Sequence, residues 1–279
     1  MISRLSASPS PAASALPTAS NQLPELDGQV VNVFDLMHAV DAVMERLSKP
    51  ESFLLCTLNL DHLVKLRRIS EFRQAYGRAE FVTADGFPIV MLARLRGCRI
   101  ERAAGSDLIK PLCAAAARAH HPIFLLGSTF SVLSASARRL IAECPGLEIA
   151  GVYAPPQDFD VQSPAADEAI DLIRSSGARL CFLALGAPRQ EIFALRALDE
   201  IPNVAFLPIG AGLDFLAGTQ IRCPRFFQRI YLEWAWRLLS DPIRLSRRYT
   251  NCGLLFVELL IGEVRNIGKK PVATKQGSQ

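Results

Sequence analysis

A mostly parallel α/β sheet with helices on both faces, followed by a helical C-terminal appendage, is the fold this sequence predicts. Three observations predict it. Short apolar runs recur along residues 53–207 and are nearly continuous in Leu, Ile, Val, Phe and Cys, as strands buried on both faces must be. Stretches of helical periodicity separate these runs, so strand and helix alternate, and strands joined through helices run parallel. Most of the runs end in glycine or small polar residues, where the chain must turn into the next helix.

In chain order, Gln29–Phe34 reads as a short strand and Asp35–Leu47 as a helix with Asp35 placed to cap it. Strands follow at Phe53–Thr57, Phe81–Thr83, Ile123–Leu126, Leu147–Val152, Leu180–Leu185 and Val204–Leu207. Helices are expected between them at 61–76, 87–97, 106–119, 129–143, 164–176 and 188–200. The body ends near Gly218, after Gly210-Ala211-Gly212-Leu213-Asp214. Beyond it, Pro224–Leu239, Pro242–Tyr249 and Leu254–Val264 read as three helical stretches rich in aromatics and arginine. The pattern as a whole is Rossmann-like, with four segments: an arm at 1–27, a core at 28–218, a basic appendage at 219–264 and a flexible basic end at 265–279.

The charge is unevenly placed. From Thr219 onward there are eleven Lys and Arg against four acids, net +7, which leaves −3 for residues 1–218 of the whole-chain +4. Seven cysteines stand singly at 56, 98, 113, 144, 181, 223 and 252, mostly within apolar runs and with no C-x-x-C pair. That is the pattern of reduced, buried thiols in a cytosolic protein, not of a disulfide framework or a zinc site. No segment has the roughly 20 uninterrupted apolar residues that cross a bilayer. The N-terminal twenty residues lack the apolar stretch of a signal peptide, and their Ser/Ala/Pro composition cannot offset the entropy of ordering them, so the arm is expected to be disordered.

The chemistry should gather where the strands end. Ala84-Asp85-Gly86 breaks the chain between the 81–83 strand and the 87–97 helix, which puts a carboxylate at the end of a strand where open parallel sheets bind ligands. The plainer reading of Asp85 is a helix cap, and of Glu101-Arg102 a surface ion pair. Thr57-Leu58-Asn59, Gly127-Ser128-Thr129, Gly186 to Glu191 and Gly210-Ala211-Gly212 end other strands. Backbone amides at the helix starts that follow suit an anion such as phosphate. The G-x-G-x-x-G and G-x-x-x-x-G-K-[ST] fingerprints are both missing, which counts against a dinucleotide-dependent oxidoreductase and a P-loop ATPase. Asp158-Phe159-Asp160 has the form of a metal-binding D-x-D, or of a plain turn in a Pro-rich loop. The four histidines form no metal cluster; His38 and His62, on expected helices, read as packed or solvated. In the appendage Arg225, Arg229, Arg237, Arg244 and Arg248 beside Tyr231, Trp234 and Trp236 suit either a helix on an anionic membrane or a packed cap.

These motifs, taken in order, resemble the WecG/TagA/CpsF family of bacterial glycosyltransferases, over about Val30 to Phe256. The likeness rests on Thr57-x-Asn59, Ala84-Asp85-Gly86, Glu101-Arg102-x-x-Gly105-x-Asp107, Gly186-x-Pro188-Arg189-Gln190-Glu191 and Gly210-x-Gly212-x-Asp214-x-x-Ala217-Gly218. It continues through Leu232-Glu233-Trp234, Arg237-Leu238, Pro242-x-Arg244 and Arg248-Tyr249. The resemblance implies inverting transfer of a sugar from a UDP-sugar to an undecaprenyl-diphosphate-linked saccharide in exopolysaccharide or cell-wall glycopolymer synthesis. It implies no metal and no other cofactor. Asp85 becomes the expected catalytic base; Thr57, Asn59, Arg102, Gln190, Gly186, Gly210, Gly212 and Asp214 become expected substrate-binding residues. Arg237, Arg244, Arg247 and Arg248 are expected to reach the diphosphate from the appendage. The resemblance also implies an enzyme on the cytoplasmic face of the plasma membrane, with no nucleic-acid partner. Phe87-Pro88 after the ADG motif departs from many relatives and leaves the donor sugar open between glucose and N-acetylmannosamine types. The competing reading is a non-catalytic nucleotide- or nucleic-acid-binding protein that uses the basic tail.

Overall fold

The structure is a computed structural model and describes residues 23–220 and 242–267. The elements are β1 (Glu25–Leu26), β2 (Gln29–Val30), α1 (Leu36–Arg46), β3 (Phe53–Leu58), α2 (Leu60–Leu66), α3 (Ser70–Arg78), β4 (Phe81–Ala84), α4 (Phe87–Leu95) and α5 (Gly105–Arg118). They continue with β5 (Ile123–Gly127), α6 (Phe130–Glu143), β6 (Ile149–Tyr153), α7 (Pro164–Ser176), β7 (Leu180–Ala184), α8 (Arg189–Glu200), β8 (Ala205–Pro208), α9 (Gly212–Ala217) and α10 (Pro242–Ile267). Six of the strands form one sheet in the order β4-β3-β8-β7-β5-β6, every pairing parallel. The expected Rossmann-like α/β class is therefore the observed one.

The near-continuous apolar strands have a direct geometric cause. Successive side chains of a strand point to opposite faces, so a sheet covered on both sides needs apolar residues at every position. In β3, Leu54, Cys56 and Leu58 enter one core while Phe53 and Leu55 enter the other; in β7, Cys181 and Leu183 are set against Leu180 and Phe182. The first core is completed by α2, α3, α4, α7, α8 and the inner side of α10, the second by α1, α5, α6 and α9. Helix starts follow the sequence: Asp35, Asn59 and Thr129 cap α1, α2 and α6 with side-chain oxygens, and Pro164 opens α7. The six described cysteines are free thiols, and all but Cys98 are buried.

Four expectations need correction. The arm is shorter than residues 1–27, because Glu25–Leu26 pairs antiparallel with Gln29–Val30 and Leu26 is buried; residues 1–22 lie outside the described residues. The 61–76 stretch is two helices, broken where Ile69 takes an extended backbone. Were it one straight helix, residues 62 and 76 would stand about 21 Å apart along the axis; the break instead brings the Tyr76 hydroxyl within 2.7 Å of His62 Nδ1. The glycine-rich 210–214 segment leads into a further helix, α9. Finally, Pro242–Tyr249 and Leu254–Val264 are parts of one helix running through Gly253, since Leu245, Cys252 and Leu255 all pack inward. Burial of that face outweighs the roughly 1 kcal/mol that a mid-helix glycine costs. The 224–239 stretch is outside the described residues.

Two glycines separate steric need from conformational need. Gly127, at φ +113°, lies so close to the Ala184 carbonyl of the neighbouring strand that a Cβ there would overlap it, whereas Gly177 at φ +72° ends α7 in open space. Gly127→Ala is expected to lose about 3 kcal/mol or more, and Gly177→Ala about 1 kcal/mol, in denaturant unfolding. Equal losses would contradict the close strand contact.

Candidate functional site

The carboxyl ends of the strands form a row: Asp85 after β4, Asn59 after β3, Gly210 after β8, Gly186 after β7 and Ser128 after β5. At the usual strand spacing the row spans roughly 19 Å. Helix α2 leaves β3 toward the first core and α9 leaves β8 toward the second, so β3 and β8 flank a topological switch point. Ligands of open α/β sheets bind at such a point, so the β3–β8 boundary is the candidate binding crevice.

Asp85 sits one strand from that crevice and is half-buried. Its backbone N–H donates to the Leu58 carbonyl at 2.7 Å, extending the β3–β4 pairing by one step, and its Oδ2 accepts from Asn59 Nδ2 at 3.3 Å. Asp85 is not the helix cap: Gly86 holds that position at φ +103°, a conformation that glycine adopts freely. Asn59 works in two directions, since its Oδ1 accepts from the His62 backbone N–H at 3.0 Å and caps α2 while its amide reaches Asp85.

Below this pair the polar groups are buried and linked. Tyr76 donates its hydroxyl proton to the Thr57 carbonyl at 2.9 Å, which leaves the same oxygen to accept from His62 Nδ1 at 2.7 Å and assigns the ring proton to Nδ1. Burial, reinforced by Lys65, holds the His62 pKa down to about 3, so the ring is neutral. Thr57, His62, Thr83, Gln190 and Glu191 are five of the seven buried polar or charged residues among those described, and all lie on or beside the strand ends. On the β7–β8 side, Gln190 Oε1 accepts from the Gly210 N–H at 3.1 Å and its Nε2 donates to Glu191 Oε1 at 2.9 Å.

The expected glycines divide by role. Gly186 and Gly210 turn at positive φ with open space where a Cβ would stand. Gly105 and Gly212 are packing glycines: a Cβ on the first would lie 2.9 Å from Ile209 Cα and on the second 2.6 Å from Ile109 Cδ1. Their absence of side chains lets the start of α5 press against the β8–α9 turn, so α5 joins α4, α6 and α8 in directing an N-terminus toward the strand ends. Arg102 pairs with Asp107 in the first turn of α5 at 2.5 Å, not with Glu101. Asp214 accepts from Ser128 Oγ at 3.1 Å, tying the β5 and β8 loops together.

Of the appendage arginines, Arg248 reaches Asp61 of α2 at 3.0 Å, two residues from Asn59, and Arg247 is exposed. Burial disfavours the Asp61 carboxylate, but Arg248 and Lys65 outweigh it and hold its pKa below the ordinary value. Arg244 lies in the first turn of α10, while Arg225, Arg229, Arg237, Tyr231, Trp234 and Trp236 are outside the described residues. Asp158-Phe159-Asp160 follows β6, the edge strand opposite β4; Phe159 is buried near Phe193, and Asp160 accepts from the Gln162 N–H of its own turn. Among the described residues no group of three His, Cys, Asp or Glu side chains is arranged to hold a metal ion. His62, Tyr76 and Glu191 are the residues the sequence reading left without a role.

Fold and strand ends together define a class: a Rossmann-like α/β protein with helix N-termini at the carboxyl ends of its strands and a carboxylate one strand from a topological switch point. Residues 25–270 match the Glycosyl transferase WecG/TagA/CpsF family, and the chain belongs to that family. It is thus a glycosyltransferase of the kind that serves cell-wall or exopolysaccharide synthesis, with a sugar donor and an acceptor as its substrates.

The neutral His62 has a consequence for stability. Its pKa is about 6.5 when exposed and about 3 in the fold, so as pH falls through this window the unfolded chain gains a proton that the native state refuses, and stability falls. Glu191, raised from 4.5 to about 7, acts in the opposite sense between those values. The His62 contribution is therefore read as a difference: His62→Asn, which keeps a donor for Tyr76, should lose less Tm than the wild type between pH 7.5 and pH 5. Parallel losses would assign the acid sensitivity elsewhere.

Proposed function

We propose that the protein transfers a sugar with inversion from a UDP-sugar to a polyprenyl-diphosphate-linked saccharide, with Asp85 as the base. The observation that carries this reading is the placement of Asp85 beside the β3–β8 crevice, held by Asn59. In this reaction the acceptor hydroxyl attacks the anomeric carbon, the bond to the UDP oxygen breaks, and the hydroxyl proton passes to Asp85. Leaving UDP carries the negative charge. The N-termini of α4, α5, α6 and α8 offer backbone N–H groups and favourable dipoles to it, and Arg102 and the appendage arginines add cationic charge. Thr57, Asn59 and Gln190 orient sugar or ribose hydroxyls.

The reading is metal-independent, as the family resemblance implies, and Asp160 accepts from the Gln162 N–H of its own turn. The alternative of a non-catalytic nucleic-acid binder finds less support, because the chain belongs to a glycosyltransferase family.

Helix α10 supports a peripheral membrane location. Its inner side docks through Leu245, Cys252 and Leu255 and through ion pairs of Glu258 with Arg67 and of Glu263 with Arg96. On its other side Leu254, Val257, Ile261 and Val264 are 47–66% exposed at spacings of three, four and three, one continuous apolar stripe. No described helix is long and apolar enough to cross a membrane. Lying in the interface, each of the four side chains would contribute on the order of 1 kcal/mol. The lipid-linked acceptor would then meet a crevice held at the bilayer surface, and the inner face of the plasma membrane is the proposed location.

Two measurements test this. UDP release from a panel of UDP-sugars with a polyprenyl-diphosphate saccharide should persist in EDTA and fall at least 100-fold in Asp85→Asn with UDP binding retained; near-normal turnover would remove Asp85 from the role of base. Replacing Leu254, Val257, Ile261 and Val264 together by serine should weaken sedimentation with anionic liposomes without lowering Tm. Unchanged sedimentation would place membrane contact elsewhere.

A further inference from the structure

Glu191 is wholly buried, and the usual means of accommodating a buried carboxylate is an ion pair. None is formed here among the described residues. One oxygen accepts from Gln190 Nε2; the other, Oε2, has no hydrogen-bond partner among them. The titratable groups whose charges couple to it belong to several elements. Cys56 comes from β3, Tyr76 from α3, and Asp61 and Lys65 from α2. Strand β8 carries no titratable residue, and the acids of α7 turn to other partners, Asp167 to Arg196 and Glu168 to Tyr153. Tyr76 also feels the charges of Asp85 and Asp61, so the carboxyl groups of Glu191, Asp85 and Asp61 all act on one buried phenol.

We propose that Glu191 is a positioning residue that works as a neutral acid: it holds Gln190, and through Gln190 the Gly210 amide, at the crevice without adding negative charge beneath the donor diphosphate. A carboxylate would do the first task equally well. It would fail the second, since a third anion below a ligand that carries its own charge opposes binding, and it would leave an ionised oxygen without a partner. Burial pushes the pKa of Glu191 up to about 7, against the pull of the Gln190 hydrogen bond, in agreement with this geometry. Of the groups around it, Cys56 and Tyr76 are pushed well up by burial, Asp61 is held low, and His62 stays near 3. Donor binding should therefore weaken as pH rises through about 7, because Glu191 then ionises.

This inference rests on the proposed function for its consequence, but its first test does not. In the full-length, ¹⁵N-labelled protein without ligand, the Gly210 amide should titrate with a midpoint near pH 7. Glu191→Gln, whose amide oxygen still accepts from Gln190, should abolish that titration, and Gln190→Ala should uncouple Gly210 from it. A Gly210 resonance that does not move between pH 5 and 9 in the wild type overturns the proposal even if neither variant folds. The second test is the pH dependence of KM for whichever UDP-sugar is turned over. Wild type should show KM rising several-fold from pH 6 to 8.5, while Glu191→Gln stays flat with kcat little changed. An identical rise in both proteins overturns the charge argument. If no UDP-sugar is turned over, the proposed function fails, and the Gly210 titration still decides whether Glu191 controls that amide.

Discussion

Buried polar groups must find partners, and the cluster beneath β3, β7 and β8 is where this protein meets that constraint. An unpaired buried donor or acceptor costs about 1–3 kcal/mol, enough to decide the local conformation of a marginally stable chain. The Thr57 carbonyl, the His62 ring and the Tyr76 hydroxyl satisfy one another, which explains why the chain breaks at Ile69 and returns. Asn59 then has to serve both α2 and Asp85, and the β3–α2 turn is held from below and from the side. Gln190 makes the corresponding tie across the crevice, from Glu191 to Gly210.

Packing brings positive potential to the same place. Gly105 and Gly212 have no side chain because the start of α5 and the β8–α9 turn touch, and that contact aims the α5 N-terminus at the strand ends. On the first-core side, α10 crosses α2 and α4 and lays Arg248 on Asp61. The appendage is thus joined to the element that carries Asn59. One side of α10 is committed to the body and the other is apolar and exposed, so a single helix can relate the crevice to a surface outside it.

How much of this could be read from the residues varies with the range of the interaction. The strand and helix order was legible because burial on both faces leaves continuous apolar runs, as in Phe53–Leu58 and Leu180–Ala184. The row of strand ends was legible as well, since Gly127, Gly186 and Gly210 mark turns at positive φ. The break between α2 and α3 was not, because it depends on Tyr76 reaching back to His62, and helical periodicity carries no trace of that contact. The two stretches expected at 242–249 and 254–264 proved to be one helix, because burial of Cys252 and Leu255 against the body overrides the low helix propensity of Gly253. Asp85 was legible as a carboxylate at the break after the 81–83 strand, though its expected role as base, like the role of Gln190, came from motif resemblance. Glu191 stood beside Gln190 in the same motif, yet nothing in its neighbours signalled a wholly buried carboxyl with one oxygen unpartnered.

The central claim is that the strand ends of β3, β4, β7 and β8 form one binding crevice for a nucleotide diphosphate. Titrating the full-length ¹⁵N-labelled protein with UDP and following every assigned backbone amide tests it most directly. The account predicts that the largest shifts fall together on Asn59, Asp85, Gly86, Gly186, Gln190 and Gly210, and that they saturate with a single dissociation constant. Saturable shifts confined to other parts of the molecule, with these six amides unmoved, would contradict it.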